Sequence, residues 1–495
     1  MFKSEIRDSI INGLIERTNK KNFGKYLSKM FLNKVRAIEN QMISFDFPVT
    51  AIIGTNGGGK TTILGAAAII YRIIQPKKYF ARGGNLDIDM QNWQIRYEII
   101  DREVNPQENI KRTANYKRLR WNRTPLHREV LDFGVSRTVP PIEKNDFNRF
   151  ANSKISFHED HIFPVDEELS THVGRILGKD ISNFRMIKFS DTGIIEFISG
   201  MNEEGTQYSE FHFGAGESSV IRMVAQIESL PNNSLVLIEE IENGLHPVAT
   251  IKMVEYLIDV AHRKRIQTIF TTHSNDALAP LPPMAIWATI NGTLFQGKLE
   301  IKSLRTITGQ IESKLAIFVE DNFAKLWIES ILRTDSSIAI DHIEVHPLSG
   351  DGNAVNVHIF HNQNPSISTK MPSICFIDGD SLQKENEEKL IFRLPGESPE
   401  GYIYDSIMES LDEYKMILST TLLKRPDEAD KIVDIVKSVR LTNRDPHLLF
   451  SQVGIKIGLI PEELVMMAFL SVWNQAFEVE SKSILDKIGN YLPKE

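Results

Sequence analysis

A single cysteine, Cys375, among 495 residues rules out an intrachain disulfide and any zinc site built on several thiolates. That usage fits a reducing, cytoplasmic compartment. No window approaches the ~20 apolar residues of a membrane span, so no membrane contact is expected. The opening MFKSEIRDSIINGLIERTNKK is broken by charges every few residues. It lacks the apolar centre of a signal peptide and reads as a short amphipathic helix. Internal repeats, low-complexity tracts and sustained heptads are also missing, which excludes repeat arrays and long coiled-coil arms. The formal net charge of -8 excludes a uniformly basic nucleic-acid coat. It leaves room for a local basic groove, because binding depends on where charge sits. With 41% hydrophobic and 25% charged residues, what remains is an ordinary soluble chain, long enough for two or three domains.

Along the chain, KYLSKMFLNKVRAI and QMISFDFPVTAIIG alternate as two or three strands, the last running into a glycine-rich loop and the apolar helix TTILGAAAIIYRII. The stretch from about 76 to 205 is looser and reads as a partly basic insertion, with one strand at WQIRYEIID. A strand–helix rhythm resumes near Phe213 and ends at the proline-rich ALAPLPPM, read as a linker. A second, smaller alternation follows: LAIFVE, NFAKLWIESIL, IEVHPL, a Gly350-Asp351-Gly352 turn, and SICFIDGD. The last ~100 residues read as helical. The expected fold class is α/β, divided at 1–305, 306–385 and 386–495.

Gly54-Thr55-Asn56-Gly57-Gly58-Gly59-Lys60-Thr61 matches the complete phosphate-loop pattern between a strand and a helix. Glycines let consecutive N–H groups curl around phosphate oxygens, and the helix N-terminus adds positive potential. Asn56, Gly57, Gly58, Gly59, Lys60, Thr61 and Thr62 are therefore expected to hold ATP. Lys60 reaches the β- and γ-phosphates, and Thr61 ligates Mg2+. The apolar SLVLI ends in Glu239-Glu240, a pair suited to holding the metal through Glu239 and positioning the attacking water through Glu240. Glu239 is longer than the aspartate usual at that position.

Phe213-Gly214-Ala215-Gly216-Glu217-Ser218-Ser219 opens a helix. Glu242-Asn243-Gly244-Leu245-His246-Pro247 follows the paired acids, and a strand delivers Thr271-Thr272-His273-Ser274. In this order the motifs resemble those of ABC-type ATPases of the OLD/RecF/SMC group. About 150 residues without heptads separate loop and signature, which resembles the compact branch. ENGLHP is similar to OLD-type and bacterial antiphage ATPases. The overall layout is most similar to the Septu-type antiphage ATPases (PtuA). The resemblance implies a homodimer of heads, with Gly214, Gly216 and Glu217 reaching the nucleotide of the opposite subunit. Gly214 stands where the signature serine supplies a hydroxyl. The resemblance also implies a γ-phosphate-sensing role for His273, a glutamine on the metal, assigned to Gln91 over Gln94, and an HNH-type nuclease as partner. Arg137 in FGVSRTVPP is a further cation, open to a contact with the nucleotide.

Glu320 and Asp378-x-Asp380 end two of the later strands, which resembles a Toprim domain and implies a second metal site. Glu397, Glu400 and Lys384 are the candidates for its later acid and lysine. Lys111, Arg112, Lys117, Arg118, Arg120, Arg123 and Arg128 carry no acid among them and interleave with Tyr116 and Trp121. Such a patch suits DNA phosphates and base stacking, or a solvated loop or subunit contact. Three functions stay open: an ATPase subunit of an antiphage complex controlling a partner nuclease, an OLD-type nuclease cutting DNA itself, and a non-hydrolysing nucleotide-sensing scaffold.

Overall fold

A computed structural model of the chain describes residues 4–84, 86–147, 150–151, 157–188, 197–202, 204–297, 299, 303–304, 306, 313–348, 352–363 and 365–494. The expected Gly350-Asp351-Gly352 turn lies outside these residues except for Gly352. Two compact units emerge, Met1–Ile301 and Lys302–Glu495.

In the first unit two larger sheets pack about one helix, and a third, four-stranded sheet runs Gln207–Ser209, Phe197–Met201, Arg185–Ile187, Ile162–Pro164. Ile38–Ser44, Lys25–Val35, Trp93–Asp101, Ile110–Lys117 and Arg120–Arg123 form an antiparallel sheet in that order. Its strands alternate buried and exposed positions, as one-sided burial requires. The second sheet runs Thr293–Gln296, Ile286–Ile290, Val49–Gly54, Gln267–Thr272, Leu235–Ile238, Val130–Phe133. All its pairings are parallel except the terminal hairpin. Its central strands are buried at every position, which suits the apolar LVLI and the apolar and threonine-rich VTAIIG and QTIFTT. Helix Lys60–Ala68 is apolar nearly all round, because it shares a core with both sheets.

Two expectations change here. The stretch 76–205 is not simply an insertion, since Trp93–Asp101 lies inside the antiparallel sheet and Val130–Phe133 pairs with Leu235–Ile238. ALAPLPPM is not a linker either. Ala277, Leu278 and Leu281 are buried, and the strand beyond them, Ile286–Ile290, pairs with the phosphate-loop strand.

The second unit carries a parallel sheet, Ile343–Pro347, Leu315–Val319, Ser373–Ile377, Ile391–Arg393. Six helices follow, from Pro399–Glu409 to Glu478–Ile488. The expected division at 385/386 does not separate compact units. The fourth strand lies beyond it, and one apolar core runs from Leu315 to Ile488.

Candidate functional site

The phosphate loop leaves the C-terminal end of Val49–Gly54 and closes on helix Lys60–Ala68. Gly59 sits at φ 106 and Gly57 at φ 75, left-handed conformations that a Cβ would strain. The loop is also fastened from the next strand, where the Thr289 hydroxyl donates to Gly58 O at 2.6 Å. Lys60 is buried and donates to Gly54 O (2.9 Å) and Thr55 O (3.0 Å). Burial lowers its pKa, opposed by the carboxylates of Glu240, Glu242 and Glu239. The cleft has a volume of about 310 Å³ and is lined by the loop residues Thr55–Thr62 with Arg36, Ile38, Glu240 and Thr271.

The expected metal pair is already in contact, with the Thr61 hydroxyl donating to Glu239 Oε1 at 2.7 Å. The next acid departs from the strand direction. Glu240 adopts φ 48, its N–H donates to Thr271 Oγ1 (2.8 Å), and its Oε2 accepts from Asn243 Nδ2 (2.8 Å). His273 Nε2 lies 4.0 Å from Glu240 Oε1. Glu242 fastens the histidine strand by accepting from the Thr272 hydroxyl (2.7 Å) and His273 N–H (2.6 Å). The sequence motifs on three adjacent parallel strands therefore meet at one sheet edge, as open α/β sheets arrange their ligand sites.

Gly214 caps helix Ala215–Ser229. A bidentate pair holds that helix in place. Fully buried Glu210 accepts from Arg222 Nε (2.8 Å) and Nη2 (2.7 Å), from Ile198 N–H (2.9 Å), and from the Ser218 hydroxyl. Gly216 lies directly against Gly244 O, so that a Cβ there would be 1.9 Å from that oxygen. Glu217 is engaged by Lys179 Nζ at 2.7 Å.

One residue had no signal in the sequence, and a second had its partners hidden. Arg36, in the turn between the first two strands, donates to the Thr62 hydroxyl (3.0 Å) and Tyr79 O (2.9 Å). Arg137 donates to the backbone carbonyls of Gly134, Glu239 and Glu240. Its loop follows strand Val130–Phe133, beside the paired acids. Gln91 lies elsewhere, exposed in the bend before Trp93, and does not line the cleft.

The basic stretch is corrected in part. It forms the last two strands of the antiparallel sheet, Ile110–Lys117 and the edge strand Arg120–Arg123. Their pleat turns alternate residues inward. Arg123 caps the carbonyls of Ile69, Tyr71 and Ile74. Arg128 is buried and donates to Asn233 O, Ser234 O, Lys25 O and Gln267 Oε1. Tyr116 and Trp121 pack against each other and against Trp93 (ring centroids 5.5–6.4 Å), which removes them from base stacking. Lys111, Lys117, Arg118 and Arg120 remain exposed.

In the second unit, Glu320 and Asp378 leave the C-terminal ends of neighbouring parallel strands. Asp378 is 8% exposed, and its Oδ1 has no hydrogen-bond partner. Burial, then the carboxylates of Asp321, Glu320, Glu400 and Asp380, push its pKa up to about 8. Asp380 itself is exposed. Of the later candidates, buried Glu400 joins this group, held by His447 Nδ1 at 2.8 Å.

Residues 100–279 match the family model described as "AAA domain, putative AbiEii toxin, Type IV TA system". Among solved structures, the SMC head domain from Thermotoga maritima aligns with 55% of this chain and 99% of its own, at 16% identity and TM-score 0.35. The recombination mediator RecF bound to ATP aligns with 55% and 99%, at 14% identity and TM-score 0.33. An Smc head bound to the C-terminal domain of ScpA, from Pyrococcus furiosus, aligns with 58% and 99%, at 10% identity and TM-score 0.37. No curated protein matches. Among the described residues, no helix is long and apolar enough to cross a membrane.

Proposed function

We propose that the first unit is an ABC-type head that binds ATP with Mg2+ and hydrolyses it within a homodimer of heads. One observation carries this reading. A phosphate loop, its Thr61–Glu239 contact at 2.7 Å, and the Glu240–His273 approach at 4.0 Å share one sheet edge. The loop N–H groups and Lys60 bind the phosphates, which replace the loop carbonyls as the partners of the ammonium. Thr61 and Glu239 fit magnesium, being a hydroxyl and a carboxylate already in register, and the ion neutralises charge across the β- and γ-phosphates. Glu240, oriented by Asn243, positions the water. His273 lies beside Glu240 to sense the γ-phosphate, while Gly214, Gly216 and Glu217 face the nucleotide of the opposite head. The test is Glu240→Gln, which keeps ATP bound but leaves the water unactivated. ATP-bound dimers should accumulate on a sizing column. Equal hydrolysis by variant and unmodified chain would overturn the role of Glu240.

The finer reading is a cytoplasmic subunit of a Septu-like antiphage complex that controls an HNH-type partner nuclease, with the exposed Lys111–Arg120 cations on DNA. Its support is the motif resemblance and a family model whose description names a toxin. The missing hydroxyl at Gly214 favours slow turnover and keeps the sensing scaffold in view. A second reading is favoured by the orphaned Asp378 Oδ1. In an OLD-type nuclease, Glu320, Asp378 and Asp380 would hold Mg2+ in a Toprim-like domain. Cleavage assays on the purified chain alone, with magnesium or manganese, distinguish the two. Cutting abolished by Asp378→Ala supports the nuclease, and no cutting supports the partner.

A further inference from the structure

Arg137 has a geometry that nucleotide binding alone does not explain. Its two terminal nitrogens span consecutive carbonyls, with Nη1 on Glu239 O and Nη2 on Glu240 O, each at 2.6 Å, and Nη1 also reaches Gly134 O at 3.1 Å. These carbonyls belong to the metal acid and the water-positioning acid. Between them the chain turns into the left-handed conformation of Glu240, φ 48, which is unfavourable for a residue with a Cβ. The guanidinium therefore supplies the donors that hold the kink, and the kink aims Glu240 away from its strand toward Asn243 and His273. The planar fork meets the two carbonyls with separate, directed donors that fix their relative orientation, whereas an ammonium meets its partners from a single point without that fixed geometry.

The same loop reaches two further motifs. Segment Val135–Thr138 packs on helix Ala215–Ser229. Thr138 Cγ2 lies against Gly244, 3.4 Å from where a Cβ of that glycine would stand, and Gly244 O abuts Gly216. One four-residue segment thus touches the paired acids, the loop after them and the signature helix.

We propose that Arg137 is a positioning residue that sets the orientation of Glu240 and couples the acids of one nucleotide site to the signature helix of the same head. This rests on the ATPase reading above. Burial lowers the guanidinium's pKa against the opposing field of Glu242, Glu240 and Glu239. That field is consistent with a cation placed to offset three clustered carboxylates.

The experiment uses the full chain in three forms, Arg137→Ala, Arg137→Lys and the control Lys60→Ala, read by ATP calorimetry, steady-state turnover and ATP-driven self-association. Lys60→Ala tests the ATPase reading independently, and unchanged ATP affinity there would sink that reading rather than this one. With that control passed, Arg137→Ala should bind ATP within a few-fold of the unmodified chain. Its turnover and ATP-driven self-association should fall by about 10²-fold or to background, the scale expected for a misplaced reacting group. Arg137→Lys should not rescue either. Normal turnover and self-association in Arg137→Ala would overturn the proposal, and so would full rescue by lysine, which would reduce the role to charge. Should the alanine variant fail to fold, the lysine variant decides alone. ATP affinity retained with turnover and association lost supports the proposal, and any other outcome overturns it.

Discussion

Gly216→Ala tests the contact between signature helix and the loop after the paired acids. A Cβ at Gly216 would stand 1.9 Å from Gly244 O and 2.9 Å from its carbonyl carbon, whereas ordinary contact begins at 3.4 Å. The two backbones must part by about 1.5 Å. Neither side yields easily. The helix is held through the buried Glu210–Arg222 pair. The opposing loop is held through Asn243 on Glu240 and Glu242 on Thr272 and His273. Overpacking of this kind costs ~1–3 kcal/mol, and a shift of ~1 Å in groups that must meet a phosphate can cost ~10²-fold in rate. The expected result is a lower melting temperature, near-normal ATP affinity in calorimetry, and turnover and ATP-driven association reduced by about that factor. Gly214→Ala is the matched control. Its φ is -60 and no atom lies within 4 Å of the added methyl, so it should melt and bind ATP normally. Gly216→Ala with unmodified turnover and melting would refute the contact. Equal damage from both alanines would refute its specificity.

Asp378→Asn should change how stability depends on pH. The folded carboxyl holds its proton up to about pH 8 against an ordinary value of 3.8. The folded state therefore binds more protons between those values, and the stability of the unmodified chain falls as pH rises through them, levelling above about 8. The variant lacks this loss and should gain relative stability toward pH 8, by at most ~6 kcal/mol. Melting curves whose separation stays constant from pH 5 to 8.5 would refute it. Replacing Lys117, Arg118 and Arg120 together by alanine should weaken DNA binding and flatten its salt dependence by about two to three in log–log slope, with ATP affinity unchanged. An unaltered slope would move DNA elsewhere. Arg128→Ala should instead destabilise the first unit, because it takes this donor from the part-buried Asn233 carbonyl and strips a second contact from Ser234 O, which keeps only Gln267 N–H, and denaturant titration would show it.

The phosphate loop and the paired acids were legible because their chemistry is local. Glycines are needed at fixed offsets wherever N–H groups must wrap a phosphate, and carboxylates must follow a buried strand at its exit. The partners of these groups were not legible, because they arrive from distant strands. Thr289 reaches Gly58 across 231 positions, and Arg137 reaches Glu239 across 102. Gln91 was selected for its residue type near a strand, but the neighbour of the acid strand is decided by the pairing of Leu237 with Asp132. The basic run misled for a different reason. Its alternation is present, with Ile110, Ala114 and Tyr116 facing inward, but charges crowd the positions between them.

Strand ends in the second unit were legible for the same local reason, since Glu320 and Asp378 each follow a five-residue apolar run that is buried throughout. Glu400 and His447 belong to the helical region, and only packing brings them to the sheet. Their arrival changes the chemistry of the group. Carboxylates gathered around a buried oxygen that has no donor cannot all stay ionised without a counter-charge. His447 hydrogen-bonds Glu400, and its charge also bears on Asp321. Asp378 is left to take either a proton or a cation, and these compete for the same lone pair. A divalent ion gains on the proton as pH rises. Magnesium should therefore raise the melting temperature of the unmodified chain at pH 8 more than at pH 6, and leave Asp378→Asn unmoved at both. Equal responses in both chains would leave the cluster a protonated structural feature and remove the nuclease reading.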